Sequence, residues 1–492
     1  MLVPNYQEYL QKNINSLSDD ELMFSSIVKS FYSDNGSAIW TANGLQEHLT
    51  KQFLELYAKS EEHGLSPEIF GYQIINNDIR KIQNNEVGSS EELYRLLAEI
   101  EVQLTRANVL YAKTMKYGAT DPKEVNGGKW KYAMDSLRTD FVTDALKASR
   151  EGTHYLMSLH PTDSVYLALQ GEMRKFLALR EQTWDSIPAF SADSGHCVKN
   201  VSRIGKRLLQ LEEITSTYVP SDTLGRVLMP AINRFRENRG IPTSRHLDEE
   251  TFTALNKKPQ EYIDQLAANL ERCRWQTKHK KGSDFVAVNI PDFMLEARSA
   301  DTVALRMKIC CGRSVNRKNE DSCRVNGILP AARTESPLLY SEIYSIVLNP
   351  EWKVPYSIIK DEYYYKMTRN AMGVTNKEKL YFVDGRTKKR VRAESIDWKK
   401  VSQNNIPYQI IQTSGKHNAL GLYKFNISNS ESVYLHSTNN PGAFRRRVRA
   451  VSHGCIRVEN PFELAAIIYG INEYDSLKID QLNMLVGMEP IS

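Results

Sequence analysis

No run of about 18 apolar residues occurs anywhere in this 492-residue chain, so no segment suits a membrane-crossing helix. Its opening, Met1-Leu2-Val3-Pro4-Asn5-Tyr6, lacks a charged stretch followed by an apolar run, so no secretory leader is legible there. Charge of one sign is also missing. The 64 basic residues stand against 59 acidic ones, and a net charge of +5 is too balanced to imply a nucleic-acid partner. The small basic surplus suits an anionic polymer. Six cysteines are scattered without C-x-x-C spacing, which excludes a zinc ribbon and a small disulfide scaffold. A zinc hydrolase is a rival, since His417, His436, His453 and Cys455 have ligand chemistry. The chain has no His-Glu-x-x-His helix and no regularly spaced acidic partner to support it. Neither a metal nor a cofactor is expected.

What remains is an ordinary globular composition, 41% apolar and 25% charged, on a chain long enough for two or three domains. The pattern predicts an α+β multidomain protein. Residues 1–195 read as helical. Ser89-Ser90-Glu91-Glu92 is a capping-box pattern, and Leu93, Leu97, Ile100 and Leu104 recur at helical spacing before Gly118. Phe53, Leu54, Tyr57 and Ala58 form a second stripe, and Leu169, Met173 and Phe176 a third. All three read as helix–helix core. Residues 196–260 change character: Ala231, Ile232 and Phe235 mark a helix face, and Asp248 is a good N-cap for the next helix. From Asp284 the period shortens to that of strands, as in Phe285–Ile290 and Ala304–Cys311. A third domain, 283–480, is therefore mostly β. It is interrupted at about 356–407 by a polar insertion rich in Tyr and Lys, either a functional element or a solvated excursion.

The chemistry concentrates in Ser452-His453-Gly454-Cys455-Ile456-Arg457, preceded by His436 on the strand-like Ser432-Val433-Tyr434-Leu435-His436. A thiol attacks as its thiolate, which needs a base or a cation nearby. His436, 19 residues before Cys455, is the candidate base, and Cys455 the nucleophile. Such a thiol is expected to alkylate faster than the others at neutral pH. Gly454 permits a tight backbone approach, and the amides of Gly454 and Cys455, with that of His453, are candidate oxyanion donors. Strand alternation puts Tyr434 on the same side as His436, where it can line a substrate groove. Ser452 is a candidate for positioning the substrate or the loop. Arg457 either binds a substrate carboxylate or pairs with Glu459. His453 is a candidate second titrating group at the catalytic centre, with a structural or substrate-positioning role as the favoured reading.

These words, with Tyr434-Leu435-His436-Ser437-Thr438, Gly415-Lys416-His417-Asn418-Ala419-Leu420-Gly421, Lys424-Phe425 and Asn349–Pro355, resemble the L,D-transpeptidases with a YkuD-type catalytic domain, in particular their large YcbB-like branch. The resemblance implies a peptidoglycan enzyme working in the periplasm or otherwise outside the cytoplasm, its export signal absent from this sequence. It implies acyl transfer through a Cys455 thioester, stem peptides as donor and acceptor, release of D-Ala, and a covalent adduct with carbapenems. Ser437 matches the position whose backbone carbonyl orients the imidazole, although many relatives carry Asp there. The insertion matches a lid over the site. Residues 231–256 resemble a small three-helix peptidoglycan-binding module whose acidic loop is replaced by Thr243-Ser244-Arg245-His246, so a binding and a purely structural role both stay open. A disulfide from Cys310 or Cys311 to Cys323 is one possibility, and buried thiols are the other. The non-enzymatic alternative is a wall-binding scaffold that keeps the fold.

Overall fold

Ser89 begins the longest helix, Ser90–Tyr117. Its Oγ accepts the Glu92 N–H at 3.1 Å, while Glu92 reaches back to the Gly88 N–H at 2.9 Å. The reciprocal pairing foreseen from Ser-x-x-Glu therefore forms, displaced by one residue. The stripe Leu97, Ile100 and Leu104 is buried. In the same helix Glu101 is fully buried and ionisable. It accepts from Ile39 N at 2.6 Å, Trp40 N at 2.9 Å, Thr41 N at 3.0 Å, Thr41 Oγ1 at 2.9 Å and Tyr32 Oη at 2.7 Å. One carboxylate thus ends the donors of a whole buried turn, which an apolar residue there could not do.

The computed structural model describes residues 4–19, 22–35, 37–126, 130–132, 138–190, 201–215, 217–220, 222–275, 284–299, 302–313, 334–470, 481 and 486. The chain forms two compact units: Met1–Pro122 with Met134–Thr277, and Lys123–Ala133 with Lys278–Ser492. Among the described residues no helix is long and apolar enough to cross a membrane.

The first unit holds two apolar cores, one from Tyr6 to Leu156 and one from Tyr166 to Leu270. The helix Ser164–Arg180, assigned from sequence to the first helical domain, gives Tyr166, Met173 and Phe176 to the second core. Its stripe identifies a buried face but not the partner that covers it. In the second core Ala231, Ile232, Phe235, Phe252 and Leu255 are buried as anticipated, and Asp248 Oδ1 caps its helix through the Thr251 N–H at 2.8 Å. The loop at 243–246 is tied down by the buried Arg236, which donates to Ser244 O at 2.9 Å and to His246 O.

The second unit is built on strands β1 (Asp284–Asn289), β2 (Met294–Ser299), β3 (Thr302–Gly312), β4 (Ile343–Leu348), β5 (Trp352–Lys353), β6 (Leu380–Asp384), β7 (Arg390–Val391), β8 (Tyr408–Gln412), β9 (Tyr423–Ile427), β10 (Leu435–His436), β11 (Ala450–Ser452) and β12 (Ile456–Val458). The main sheet runs β1-β2-β3-β12-β10-β9-β4, with β11 added beside β3. One face carries the core, including Leu295, Ile309, Phe425, Leu435 and Val458. The helix Pro461–Ile468 opens on its proline. It buries Leu464 and Ala465, whereas Ile467 and Ile468 remain 38% and 37% exposed.

The insertion is not a solvated excursion. It has its own core of Ile358, Ile359, Met367, Phe382, Trp398 and Ile410, and its own sheet, β5-β8-β6-β7. Because β5 and β8 flank it, the folded element runs beyond 356–407 at both ends. Cys323, the possible disulfide partner, lies outside the described residues.

Candidate active site

Strand register assembles the site. β10 lies between β9, antiparallel, and β12, parallel, with His436 opposite Lys424 on one side and Arg457 on the other. Arg457 in turn stands opposite Cys310 of β3. Leu435 and its partner Phe425 point into the core, so alternation sends Lys424, His436 and Arg457 to the opposite face as one cross-strand row. The Ile456 N–H donates to Tyr434 O at 3.1 Å, which sets Cys455 beside Tyr434, one row before His436. Cys455 and His436 are therefore diagonal neighbours on one face, a separation of about 7–8 Å that side chains can span. The Tyr434 ring stands edge-on to His436, centroids 5.7 Å apart. Its hydroxyl lies near Cys455 and near Trp352 at the root of the insertion, and burial pushes its pKa up.

The cysteine sits on a chain reversal. β11 runs parallel to β3 and β12 antiparallel to it, so the direction changes within His453-Gly454-Cys455. Gly454 has φ +121°, a conformation an L side chain rarely adopts. Ser452 clasps the turn: its Oγ accepts the Gly454 N–H at 3.2 Å and donates to Cys455 O at 2.6 Å. Ser336 holds it from the other side, donating to Gly454 O at 2.6 Å and accepting the Gly312 N–H at 3.0 Å. A sequence reading has no signal for Ser336, which lies far upstream.

Burial sets the resting protonation. It pushes the Cys455 thiol above its ordinary range, against the opposing pull of the Tyr434 backbone and hydroxyl and of Lys424 and Arg457. The low-pKa thiol expected from sequence is not what the structure shows. Burial also drives His436 down to about 3, reinforced by Arg457 and Lys424. The backbone at Ser437 and Leu420 pulls the other way, but without a well-aligned bond: Nδ1 is buried with no hydrogen-bond partner. The resting pair is a neutral thiol beside a neutral imidazole.

The remaining candidates fall in several places. Ser437 follows His436 directly, its N–H on Tyr423 O at 2.9 Å and its side chain against Gly421. His453 points away to the insertion, where its Nε2 meets Glu362 Oε1 at 2.7 Å. Arg457 is half-buried, with its Nε lacking any partner. Between the histidine and the cysteine lies a basic stretch, in which Arg449 is buried and spends its guanidinium on the carbonyls of Ile309, Phe293 and Arg446, each at 3.0 Å, so it does not attract substrate. Arg445, Arg446 and Arg447 are exposed. His417 bonds Thr413 Oγ1 at 3.0 Å. Among the described residues no three His, Cys, Asp or Glu side chains are grouped to hold a metal ion. Sequence reasoning passed over Lys424, Trp352 and Glu362 as site residues, because only the register and the folded insertion bring them there.

Comparison with known proteins agrees with this geometry. Residues 283–472 match the family model of the YkuD L,D-transpeptidase catalytic domain. Residues 26–173 match a family described as a scaffold domain. The chain therefore carries an L,D-transpeptidase catalytic domain of the YkuD family, joined to a helical scaffold region. Over 228 residues it is 31% identical to a Haemophilus influenzae protein named "Putative L,D-transpeptidase". That stretch is 45% of this chain and 42% of the relative, so the chain spans less than half the relative's length.

Proposed function

We propose that the protein is an extracytoplasmic peptidoglycan L,D-transpeptidase that joins the third residues of two stem peptides through a Cys455 thioester. The observation that carries this reading is the shared sheet face: Cys455 on a glycine-reversed turn, diagonal to a buried, neutral His436. A neutral imidazole keeps a free lone pair for the thiol proton, and with a neutral thiol that proton moves as the C–S bond forms. Sγ attacks the carbonyl between the third stem residue and the terminal D-Ala, and His436 takes the thiol proton. The resulting oxyanion faces the N–H groups of Cys455 and His453. That of Gly454 is already given to Ser452 Oγ, so the glycine's part is to turn the chain. One such donor is typically worth about 3 kcal/mol in the transition state.

The imidazolium then hands the proton to the departing D-Ala nitrogen. The C–N bond breaks and the thioester remains. An amine of a neighbouring stem attacks it and loses its proton to His436, and Cys455 leaves and is reprotonated. Water as acceptor gives L,D-carboxypeptidation instead. Ser437 orients the histidine strand, Tyr434 holds the thiol, and Ser452 fixes the turn. The tethering of the 243–246 loop to Arg236 favours a structural role for the 196–260 segment over glycan binding.

Incubation with disaccharide–tetrapeptide tests the reading. A dimer linked between third residues, with one D-Ala released per link, is the expected product. Loss of that product in Cys455→Ser and His436→Gln, with folding retained, supports the roles. Dimer formation unaffected by Cys455→Ser refutes them.

A further inference from the structure

The row across the active-site face contains two cations and no acid. Lys424 and Arg457 flank His436 from its two neighbouring strands. The Lys424 Nζ lies 4.3 Å from the Tyr434 ring centroid and, among the described residues, makes no hydrogen bond or ion pair. Its titratable neighbours are the thiol of Cys455 and another lysine, Lys353. Arg457 has its Nε buried without a partner, and its titratable neighbours are the thiols of Cys310 and Cys455 and another arginine, Arg313. Two carboxylates of this unit are engaged elsewhere: Glu362 with His453 at 2.7 Å, and Glu459 with the Lys308 N–H at 3.1 Å. Half-buried cations without counter-ions are costly to keep in a fold. That cost is recovered when an anion enters. The Cα rows of Lys424 and Arg457 lie two strand spacings apart, about 9.6 Å. Two long side chains converging over the histidine and one carboxylate fill such a gap.

We propose that Lys424 and Arg457 form a two-cation clamp for a carboxylate of the acyl donor, with Lys424 as a substrate-binding residue. This rests on the transpeptidase reading and adds to it a requirement for a donor anion, held over His436 while the carbonyl meets Cys455. Arg457 offers a planar fork and Lys424 a point charge, so the pair accepts one carboxylate from two sides. A stem tetrapeptide has two carboxylates near the scissile bond: the terminal one of D-Ala, and the side-chain one of a diamino-diacid third residue. The chemistry at the clamp is the same for both.

Binding without turnover tests this apart from catalysis. In Cys455→Ala protein, calorimetry compares three tetrapeptides: the free acid, its C-terminal amide, and the form amidated on the third residue's side chain. One amide is expected to bind about tenfold more weakly than the free acid, and which one identifies the carboxylate held. Adding Lys424→Gln is expected to shrink that difference to below about twofold, and Lys424→Arg to restore it. Equal binding of all three peptides to the Lys424 protein overturns the clamp, as does a preference for acid that survives Lys424→Gln, or no binding of any peptide. Selective binding by the Cys455→Ala protein together with absent turnover by the parent counts against the transpeptidase reading alone.

Discussion

Gly421→Ala puts a methyl group where the histidine strand leaves the sheet. A Cβ there lies 2.5 Å from Ser437 Oγ, 2.6 Å from Ser437 Cβ and 2.7 Å from the Thr438 nitrogen. A hydroxyl can rotate away, but a Cβ and a backbone nitrogen move only if the strand moves. Gly421 also has φ +63°, a conformation that costs an alanine about 1 kcal/mol. Overpacking adds about 1–3 kcal/mol, giving a loss of about 2–4 kcal/mol in stability. Ser437 follows His436 directly, so the displacement reaches the imidazole, and a shift near 1 Å is worth about a hundredfold in rate. Gly454→Ala is the control. Its Cβ meets nothing nearer than Val433 Cγ1 at 3.6 Å, so only the strain of φ +121° remains, about 1–3 kcal/mol. Urea unfolding gives the stabilities, and acylation by a carbapenem gives the rates. Gly421→Ala protein within 0.5 kcal/mol of the parent and acylating at the parent rate would show that this approach does not position His436.

Three further outcomes follow from burial. Burial raises the Cys455 pKa, so its thiolate fraction at pH 7 is below that of a free cysteine, and iodoacetamide labelling keeps rising with pH beyond ordinary thiol titration. A labelling plateau already reached below pH 8 contradicts this. Glu101→Gln replaces a five-bond acceptor by a group with one acceptor oxygen, leaving at least one buried backbone N–H unmatched and facing an NH2. A loss of about 3–5 kcal/mol is expected in urea unfolding, and a change under 1 kcal/mol would mean the carboxylate is dispensable. His63, in the first unit, is lowered to about 3 by burial, with His160 and Arg274 adding to it. The unfolded chain binds this proton more readily, so the stability it supports is full above pH 6.5 and is lost as pH falls towards 3. The slope is at most about 1.4 kcal/mol per pH unit per proton. An unfolding midpoint that stays flat from pH 7 to 4 contradicts it.

The proposed nucleophile and base are spelled locally in the sequence. A cysteine after a glycine, and a histidine at the end of a short strand, carry their chemistry in adjacent letters. The partners of His436 were hidden for a physical reason. Lys424 and Arg457 reach it only through hydrogen bonding of β9 and β12 to β10, and register across non-consecutive strands leaves no mark in any one strand. The insertion concealed a core because its apolar residues, such as Ile359, Phe382, Trp398 and Ile410, are dispersed among lysines, arginines and tyrosines. The helix Ser164–Arg180 shows the same limit, since a stripe predicts burial without naming what buries it. Thiol acidity was misjudged because it depends on desolvation, which the letters around Cys455 do not express.

The account stands on a covalent acyl-enzyme at Cys455. Intact-mass spectrometry after incubation with meropenem reads that bond directly, for the parent chain and for Cys455→Ala. A gain of one drug mass on the parent and none on the variant is the predicted result. An adduct on both chains, or on neither, would contradict it.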